Sequence, residues 1–119
     1  MADYHLGEIE SIFADIIWSN APLTSRQLAG LAEERLRWKR TTTYTVLKRL
    51  CDRGLFQNQG GTVTALVSRE EFYARQSEQY VQDAFQGSLP AFLAAFGSRK
   101  QLNDAEIDEI QKLIDSMRR

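Results

Sequence analysis

The apolar residues of this chain recur at helical spacing along most of its length. In the first twenty residues they are separated by three or one positions, which predicts a helix over about 5–18. The same reasoning predicts helices over about 25–35, 41–53, 69–86, 89–97 and 104–117. The apolar stripe of the first helix consists of Leu6, Ile9, Ile12, Phe13, Ile16 and Ile17.

Capping boxes mark where three of these helices begin. In such a box, a hydroxyl or amide at the N-cap is followed three residues later by an acid or amide, and each side chain bonds the other's backbone N–H. The three predicted pairs are Thr24 with Gln27, Ser68 with Glu71, and Asn103 with Glu106.

A β-hairpin is predicted between the third and fourth helices. Two short β-prone runs, 55–59 and 62–67, flank the pair Gly60–Gly61, a typical hairpin turn. Three helices followed by a hairpin is the order of a winged helix-turn-helix domain. We therefore predict a mainly α fold with a small β-hairpin, in which a winged helix-turn-helix domain spans 1–68 and a three-helix dimerisation region spans 69–119.

The C-terminal helices carry more apolar side chains than so short a segment can bury alone. The last helix has the spacing of three and four residues that is typical of a helix–helix seam. We expect a homodimer rather than back-packing onto the N-terminal domain. The predicted interface residues are Phe72, Tyr73, Tyr80, Val81, Phe85, Leu89, Phe92, Leu93, Phe96, Ile107, Ile110, Leu113, Ile114 and Met117.

Composition removes most catalytic and membrane functions from consideration. The 119 residues include one cysteine, Cys51, and one histidine, His5, too few for a zinc site or a Cys–His dyad. No carboxylate pair, nucleophile or glycine-rich phosphate loop is recognisable, so no catalytic residue, metal or cofactor is predicted. The longest apolar runs fall far short of a membrane span, and the polar start lacks a signal peptide pattern. We expect a cytoplasmic protein without membrane insertion.

Charge is distributed unevenly, although the formal net charge is only −1. Residues 35–53 carry seven basic residues against one acid, whereas residues 101–117 carry five acids against one lysine. A compact basic segment in an acidic chain is typical of an anion-binding face, and the alternative is a solvated helix surface.

The helix over 41–53 has two distinct sides. At about 100° per residue, Thr43, Leu47, Leu50, Cys51 and Gly54 face the core. The opposite side carries Thr41, Thr42, Thr45, Lys48, Arg49 and Asp52. Threonine and arginine side chains contact phosphates and base edges, which indicates double-stranded DNA as the partner. The candidate DNA-binding residues are Arg37, Lys39, Arg40, Thr41, Thr42, Tyr44, Thr45, Lys48 and Arg49.

Several segments resemble the penicillinase repressor family of winged-helix transcriptional repressors. The most specific is WKRTTTYTVLKRLCDRG over 38–54, which is similar to the family's recognition helix. The segments 6–18, 22–28, 66–71, 89–96 and 102–107 resemble other family motifs in the same order, so the resemblance covers about 6–117.

The resemblance implies a homodimeric bacterial repressor on an inverted-repeat operator. It assigns DNA contacts to Thr42, Thr45 and Arg49, and it suggests release by a sensor-linked protease that cuts at Ala95–Phe96. The predicted wing, 57–62, lacks the arginine and tyrosines frequent in the family, which leaves a wing contact with DNA open. The tail has no cysteine cluster, which excludes copper sensing through thiolates.

Two other functions remain open at this point. A small-molecule-sensing regulator would share the DNA-binding face and enclose an effector in a cavity of the C-terminal dimer, lined by Tyr73, Tyr80, Phe85 and Phe92. A winged-helix module for protein–protein contacts would bind DNA weakly and without salt dependence. An enzyme is not expected, because nothing catalytic is assembled.

Overall fold

The computed structural model describes residues 4–118, and its elements follow the predicted order. The fold is mainly α with one small sheet, as predicted. In chain order the elements are α1 (Glu8–Asn20), β1 (Leu23–Thr24), α2 (Ser25–Leu36), α3 (Arg40–Asp52), β2 (Phe56–Gln59), β3 (Thr62–Ala65), α4 (Arg69–Phe85), α5 (Leu89–Arg99) and α6 (Asp104–Met117).

Two of the three predicted capping boxes are complete. Before α2, Gln27 N donates to Thr24 Oγ1 at 3.0 Å and Thr24 N donates to Gln27 Oε1 at 2.9 Å. The pair Asn103 and Glu106 repeats this arrangement before α6. Before α4 only half of the box forms: Glu71 N donates to Ser68 Oγ, but the Glu71 carboxylate pairs with Arg75 instead.

The hairpin forms around Gly60 and Gly61, which both have positive φ angles, of 61° and 88°. Such backbone angles suit glycine and match a two-residue hairpin turn. β3 lies in the centre of an antiparallel sheet of order β1-β3-β2, where Val63 is the register partner of both Leu23 and Asn58. β1 was not predicted, because two residues are too short to show an alternating pattern.

The core of the N-terminal half is formed by side chains from α1, α2, α3, the sheet and α4. Its largest fully buried residues are Phe13, Ile16, Ile17, Leu28, Thr43, Leu47, Leu50, Leu55, Phe56, Val63 and Phe72. The predicted stripe of α1 needs correction, because Ile9 and Ile12 are 51% and 42% exposed. The buried face is centred on Phe13 and Ile17, which leaves Ile12 at its margin and Ile9 in the first turn.

The backbone divides into two compact units, Met1–Gln79 and Tyr80–Arg119, so the division falls within α4. This division differs from the predicted domain boundary at 68/69, which coincides with the start of α4. The difference arises because Phe72 is fully buried in the first unit, with its ring centroid 5.5 Å from that of Trp18. Trp18 also donates its indole N–H to Val67 O at 2.9 Å. Phe72 is therefore removed from the predicted dimer interface.

The second unit has an aromatic cluster but no sealed core. Phe92 lies with its ring centroid 5.7 Å from that of Phe85, 6.2 Å from that of Tyr80 and 6.1 Å from that of Phe96. None of the residues described between 80 and 118 is buried. The large apolar residues left exposed here are Tyr80, Leu89, Leu93, Phe96, Ile107, Leu113, Ile114 and Met117.

Candidate nucleic-acid interface

α3 separates its side chains into a buried face and an exposed face, as the sequence predicts. Thr43, Leu47 and Leu50 are buried, Cys51 is half-buried, and Val46 joins the core although it was not predicted to. Gly54, predicted to face the core, is exposed, because α3 ends at Asp52 and Gly54 lies beyond it with a positive φ angle. Six residues predicted to lie opposite the core are all exposed: Thr41, Thr42, Thr45, Lys48, Arg49 and Asp52. Tyr44 is also exposed.

The turn before α3 concentrates positive charge at the start of that helix. Arg37 closes α2 in the left-handed conformation, with φ at 60°, and Lys39 is the N-cap of α3. Lys39 and Arg40 are exposed beside the first backbone N–H groups of the helix, whose partial positive charge also attracts anions. Within residues 4–118, no ion pair involves Arg37, Lys39 or Arg40.

The C-terminal half of α3 carries basic residues with partners inside the protein. Lys48 Nζ lies 3.0 Å from Asp52 Oδ2, and Arg49 Nη1 lies 3.3 Å from Glu10 Oε2 on α1. Arg53 donates from Nη2 to the backbone oxygen of His5. The uncompensated positive charge of the predicted DNA-binding set is therefore concentrated before α3 and in its first turn.

Thr45 uses its hydroxyl proton within the helix. Its Oγ1 donates to Thr41 O at 2.9 Å, which leaves the lone pairs of that oxygen free to accept on an exposed residue. In this conformation Thr45 is able to accept a hydrogen bond from a cytosine or adenine amino group, or to contact a thymine methyl.

The wing offers polar groups without charge. Residues 54–68 contain no charged side chain, and Gln57 Nε2 donates to Gln59 Oε1 at 3.0 Å across the outer face of β2. The wing tip is fixed by Ser25 N, which donates to Gly61 O at 2.8 Å. Any contact with a phosphate from this wing would rest on neutral hydrogen bonds alone.

The predicted cleavage position lies within a helix. Ala95 and Phe96 are exposed residues of α5, and Phe96 O accepts a hydrogen bond from Lys100 N at 3.0 Å. A protease that binds an extended substrate would require the end of α5 to unwind.

A groove in the second unit lies between α5 and α6. Its volume is about 290 Å³, and its lining residues are Phe92, Leu93, Phe96, Leu102, Ile107, Ile110 and Gln111. Of the four aromatic residues predicted to line an effector cavity in the dimer, Tyr73 packs on Trp18 and Phe72 in the first unit, and the dimer cavity itself stays a prediction. Of the four, only Phe92 lines the groove.

Metal binding and thiol reactivity each require particular side chains in particular surroundings. No cluster of histidine, cysteine, aspartate or glutamate suited to a metal occurs in the part of the chain that the structure describes. Burial, reinforced by the charge of Asp52, raises the pKa of the Cys51 thiol, so the protonated form is favoured near neutral pH. No helix among the described residues is long and apolar enough to cross a membrane.

Glu10 was missed by the sequence analysis, and Arg53 was counted in the basic segment without being assigned a partner. Glu10 is separated from Arg49 by 39 positions, and Arg53 from His5 by 48. One signal for Glu10 was available, because it occupies the same helical face as Phe13 and Ile17. An acid on an apolar face requires a partner.

Fold and surface together define the class of protein. A three-helix unit with a wing, whose third helix presents threonine and basic residues to solvent, is a winged-helix domain with a surface suited to DNA. The family model for the penicillinase repressor matches residues 6–116, so the chain belongs to the penicillinase repressor family. This family comprises DNA-binding transcriptional repressors and not enzymes. The predictions of a DNA-binding repressor and of a protein that is not an enzyme are confirmed at the level of the family. A comparison with curated proteins gave no significant match.

Proposed function

We propose that the protein represses transcription as a homodimer on an inverted-repeat operator, with α3 of each copy in a major groove. The observation that carries the proposal is the exposed face of α3, where threonines adjoin Lys39 and Arg40, which form no ion pair within residues 4–118. The DNA-binding residues we propose are Arg37, Lys39, Arg40, Thr41, Thr42, Tyr44, Thr45, Lys48 and Arg49. Base edges are read by the threonines, and phosphates are contacted by the basic residues before and at the start of α3.

Dimerisation is supported by the apolar surface of the second unit. Several large side chains of α5 and α6 stay exposed in the single chain, among them Phe96, Ile107 and Ile114. Large apolar side chains exposed on two neighbouring helices are typical of a protein–protein interface, and a two-fold dimer presents the same surface from both copies. The pairing of two DNA-binding units matches the two halves of an inverted repeat.

Release from DNA is proposed to act through the C-terminal region. Affinity for a two-fold site depends on both halves being held together, so a weakened dimer loses the benefit of both contacts. A cut at Ala95–Phe96 would separate α6 from the rest of the chain. A regulatory protease linked to a sensor is the partner that such a cut requires.

An effector-sensing regulator is the second candidate function. The groove between α5 and α6 favours it, because a concave apolar volume of about 290 Å³ approaches the size of a small-molecule site. In that case an apolar effector, rather than a protease, would alter the dimer. The two candidates share the same DNA-binding face.

The experiment that tests the proposal is selection of bound sites from random DNA with the purified protein, at two salt concentrations. The expected result is a two-fold-symmetric site whose affinity falls steeply with salt. Sedimentation velocity on the same preparation should show a dimer at micromolar concentration. Recovery of no preferred sequence, with weak binding insensitive to salt, would instead support a module for protein–protein contacts.

We expect Thr45→Ala to weaken binding to the selected site by about 1–3 kcal/mol, the range for a base-edge contact. Random DNA should be bound nearly as well as by the unsubstituted protein, because a base-edge contact contributes little there. Competition titrations with both DNAs measure the difference. Equal losses on the two DNAs would contradict the assignment of Thr45 to base contacts.

Arg37→Ala and Lys39→Ala are expected to weaken specific and random binding alike. Each removes a phosphate contact, so the slope of log K against log salt should become shallower by about one unit. Lys112→Ala is the matched control, because it removes the same charge from the acidic α6. An unchanged slope in the Arg37 and Lys39 variants would show that these cations do not contact phosphates.

A further inference from the structure

Residues 4–6 form a short strap, which precedes α1 and joins the DNA-binding helix to α4. On the side of α3, the C-cap residue Arg53 donates from Nη2 to the backbone oxygen of His5. On the side of α4, Arg75 Nη1 donates to Tyr4 Oη at 2.7 Å, and Gln76 Nε2 donates to Tyr4 O at 2.8 Å. Two adjacent residues of the strap therefore connect the end of α3 with α4.

The strap is also anchored by apolar and aromatic contacts. Leu6 is buried in the core of the first unit. The Tyr4 ring centroid lies 5.7 Å from that of Phe72, which is fully buried, and 5.7 Å from Arg75 Cζ, within the range of a cation–π contact. Tyr4 is therefore held by three residues of α4: Phe72, Arg75 and Gln76.

The start of α4 is held by α1 as well. Arg69 Nη2 lies 2.6 Å from Asp15 Oδ1 and donates to Ser19 Oγ at 3.0 Å. The contacts at positions 69, 72, 75 and 76 extend along about 10 Å of the helix axis, so they restrict the direction of α4. The Arg69 and Arg75 side chains are 39% and 54% exposed, and ion pairs so open to solvent contribute little to the free energy of unfolding. These contacts therefore affect orientation more than stability.

The direction of α4 matters because this helix contains residues of both compact units. The division between the units falls after Gln79, within one turn of Gln76. In the proposed dimer the second unit joins the two copies, and α4 connects it to the DNA-binding unit of each copy. Each base pair inserted between two half-sites moves one of them by about 3.4 Å and rotates it by about 35°. A restrained α4 tolerates such a shift less well than a free one.

We propose that Tyr4 and Arg75 are positioning residues, which fix α4 relative to α3 and thereby determine the half-site spacing that the dimer accepts. This inference rests on the proposed homodimer on an inverted repeat. It assigns no DNA contact to the strap and leaves the proposed DNA-binding residues unchanged. The strap adds a determinant of specificity that lies outside the DNA-binding face.

The test compares full-length variants on three DNAs: the selected site, the same site with one base pair inserted between its halves, and an isolated half-site. Tyr4→Ala removes the ring and the hydroxyl, Tyr4→Phe removes the hydroxyl alone, and Arg75→Ala removes the guanidinium. Glu71→Gln is the matched control on the same helix. It replaces the carboxylate that lies 2.8 Å from Arg75 Nη2 and leaves the bond from Arg75 to Tyr4 in place.

The unsubstituted protein is expected to lose about tenfold or more in affinity when the base pair is inserted. In Tyr4→Ala and Arg75→Ala this loss should shrink to about threefold or less, because a freer α4 lets both copies of α3 reach the displaced half-sites. Affinity for the isolated half-site should not change, since the DNA-binding face is intact. Tyr4→Phe should give an intermediate loss, and Glu71→Gln should match the unsubstituted protein. Sedimentation velocity should show a dimer for every variant, because the strap belongs to the first unit.

Two results would overturn the inference alone. One is the same loss on insertion in Tyr4→Ala and Arg75→Ala as in the unsubstituted protein. The other is an equal fall in affinity for the isolated half-site, which would mean that the strap supports α3 itself. Thermal unfolding confirms that each variant is folded at the assay temperature, and Arg75→Ala with Tyr4→Phe decides the question if Tyr4→Ala is not. If the unsubstituted chain does not distinguish the selected site from random DNA, the proposed function is wrong, and the inference falls with it.

Discussion

A chain truncated after Ala95 is expected to lose most of its self-association and, with it, most of its affinity for the operator. The truncation removes α6 with its exposed apolar residues Ile107, Leu113, Ile114 and Met117, together with one wall of the groove. Fully burying one large apolar side chain contributes about 1.5–3 kcal/mol, from which the cost of ordering must be subtracted. The loss of this set should therefore cost the dimer several kcal/mol, and each ~1.4 kcal/mol raises the dimer dissociation constant about tenfold.

A point substitution shows whether the truncation acts by removing apolar contacts of α6 or merely by shortening the chain. Ile114→Asp places a charge on the apolar face of α6, whereas Ser116→Asp places the same charge on the opposite face of that helix. Sedimentation equilibrium and operator titrations should show the truncated chain and Ile114→Asp both weakened, and Ser116→Asp near the full-length values. A truncated chain that dimerises and binds DNA like the full-length protein would show that release from DNA is not controlled through α6. That result would favour the effector-sensing alternative.

Helix starts and the hairpin were predictable because their causes are local. Thr24 and Asn103 cap their helices through side chains three positions away, and the turn at Gly60–Gly61 depends on two adjacent residues. These signals lie within a few residues of the structure they produce, so a single sequence contains all the information required.

Contacts between distant residues were not predictable in the same way. In the sequence, Phe72 cannot be distinguished from the other apolar residues of α4. Its burial within the first unit depends on contact with Trp18, which is distant in sequence. Ile9 belongs to a regular helical stripe, but its burial depends on how far the neighbouring elements extend along α1. Helical periodicity defines which residues share a face, whereas burial depends on what covers that face.

The candidate DNA-binding face shows the same distinction in electrostatic terms. Seven basic residues lie over 35–53, and the sequence alone does not distinguish one from another. In the folded chain Lys48 and Arg49 have acidic partners, and the partner of Arg49 is contributed by α1. A charge count therefore predicts that this region binds anions, but the folded arrangement is needed to see which cations are available for phosphates.

Phe72→Ala is expected to lower the free energy of unfolding of the first unit by about 3–5 kcal/mol, the usual cost of removing a buried phenylalanine. The Phe72 ring lies within ring-contact distance of Tyr4, Trp18 and Tyr73, so its loss leaves a cavity where the start of α4 meets α1. Leu66→Ala, at a neighbouring position that is 54% exposed, should change the same quantity by much less.

Urea unfolding of the two variants, followed by tryptophan fluorescence, measures the comparison because Trp18 lies against Phe72. A large loss in Phe72→Ala alone would show that the first turns of α4 stabilise the first unit, in agreement with a compact unit that extends past 68/69. Equal stability of the two variants would instead mean that the core closes without α4. In that case the first unit would end, in energetic terms, where α4 begins.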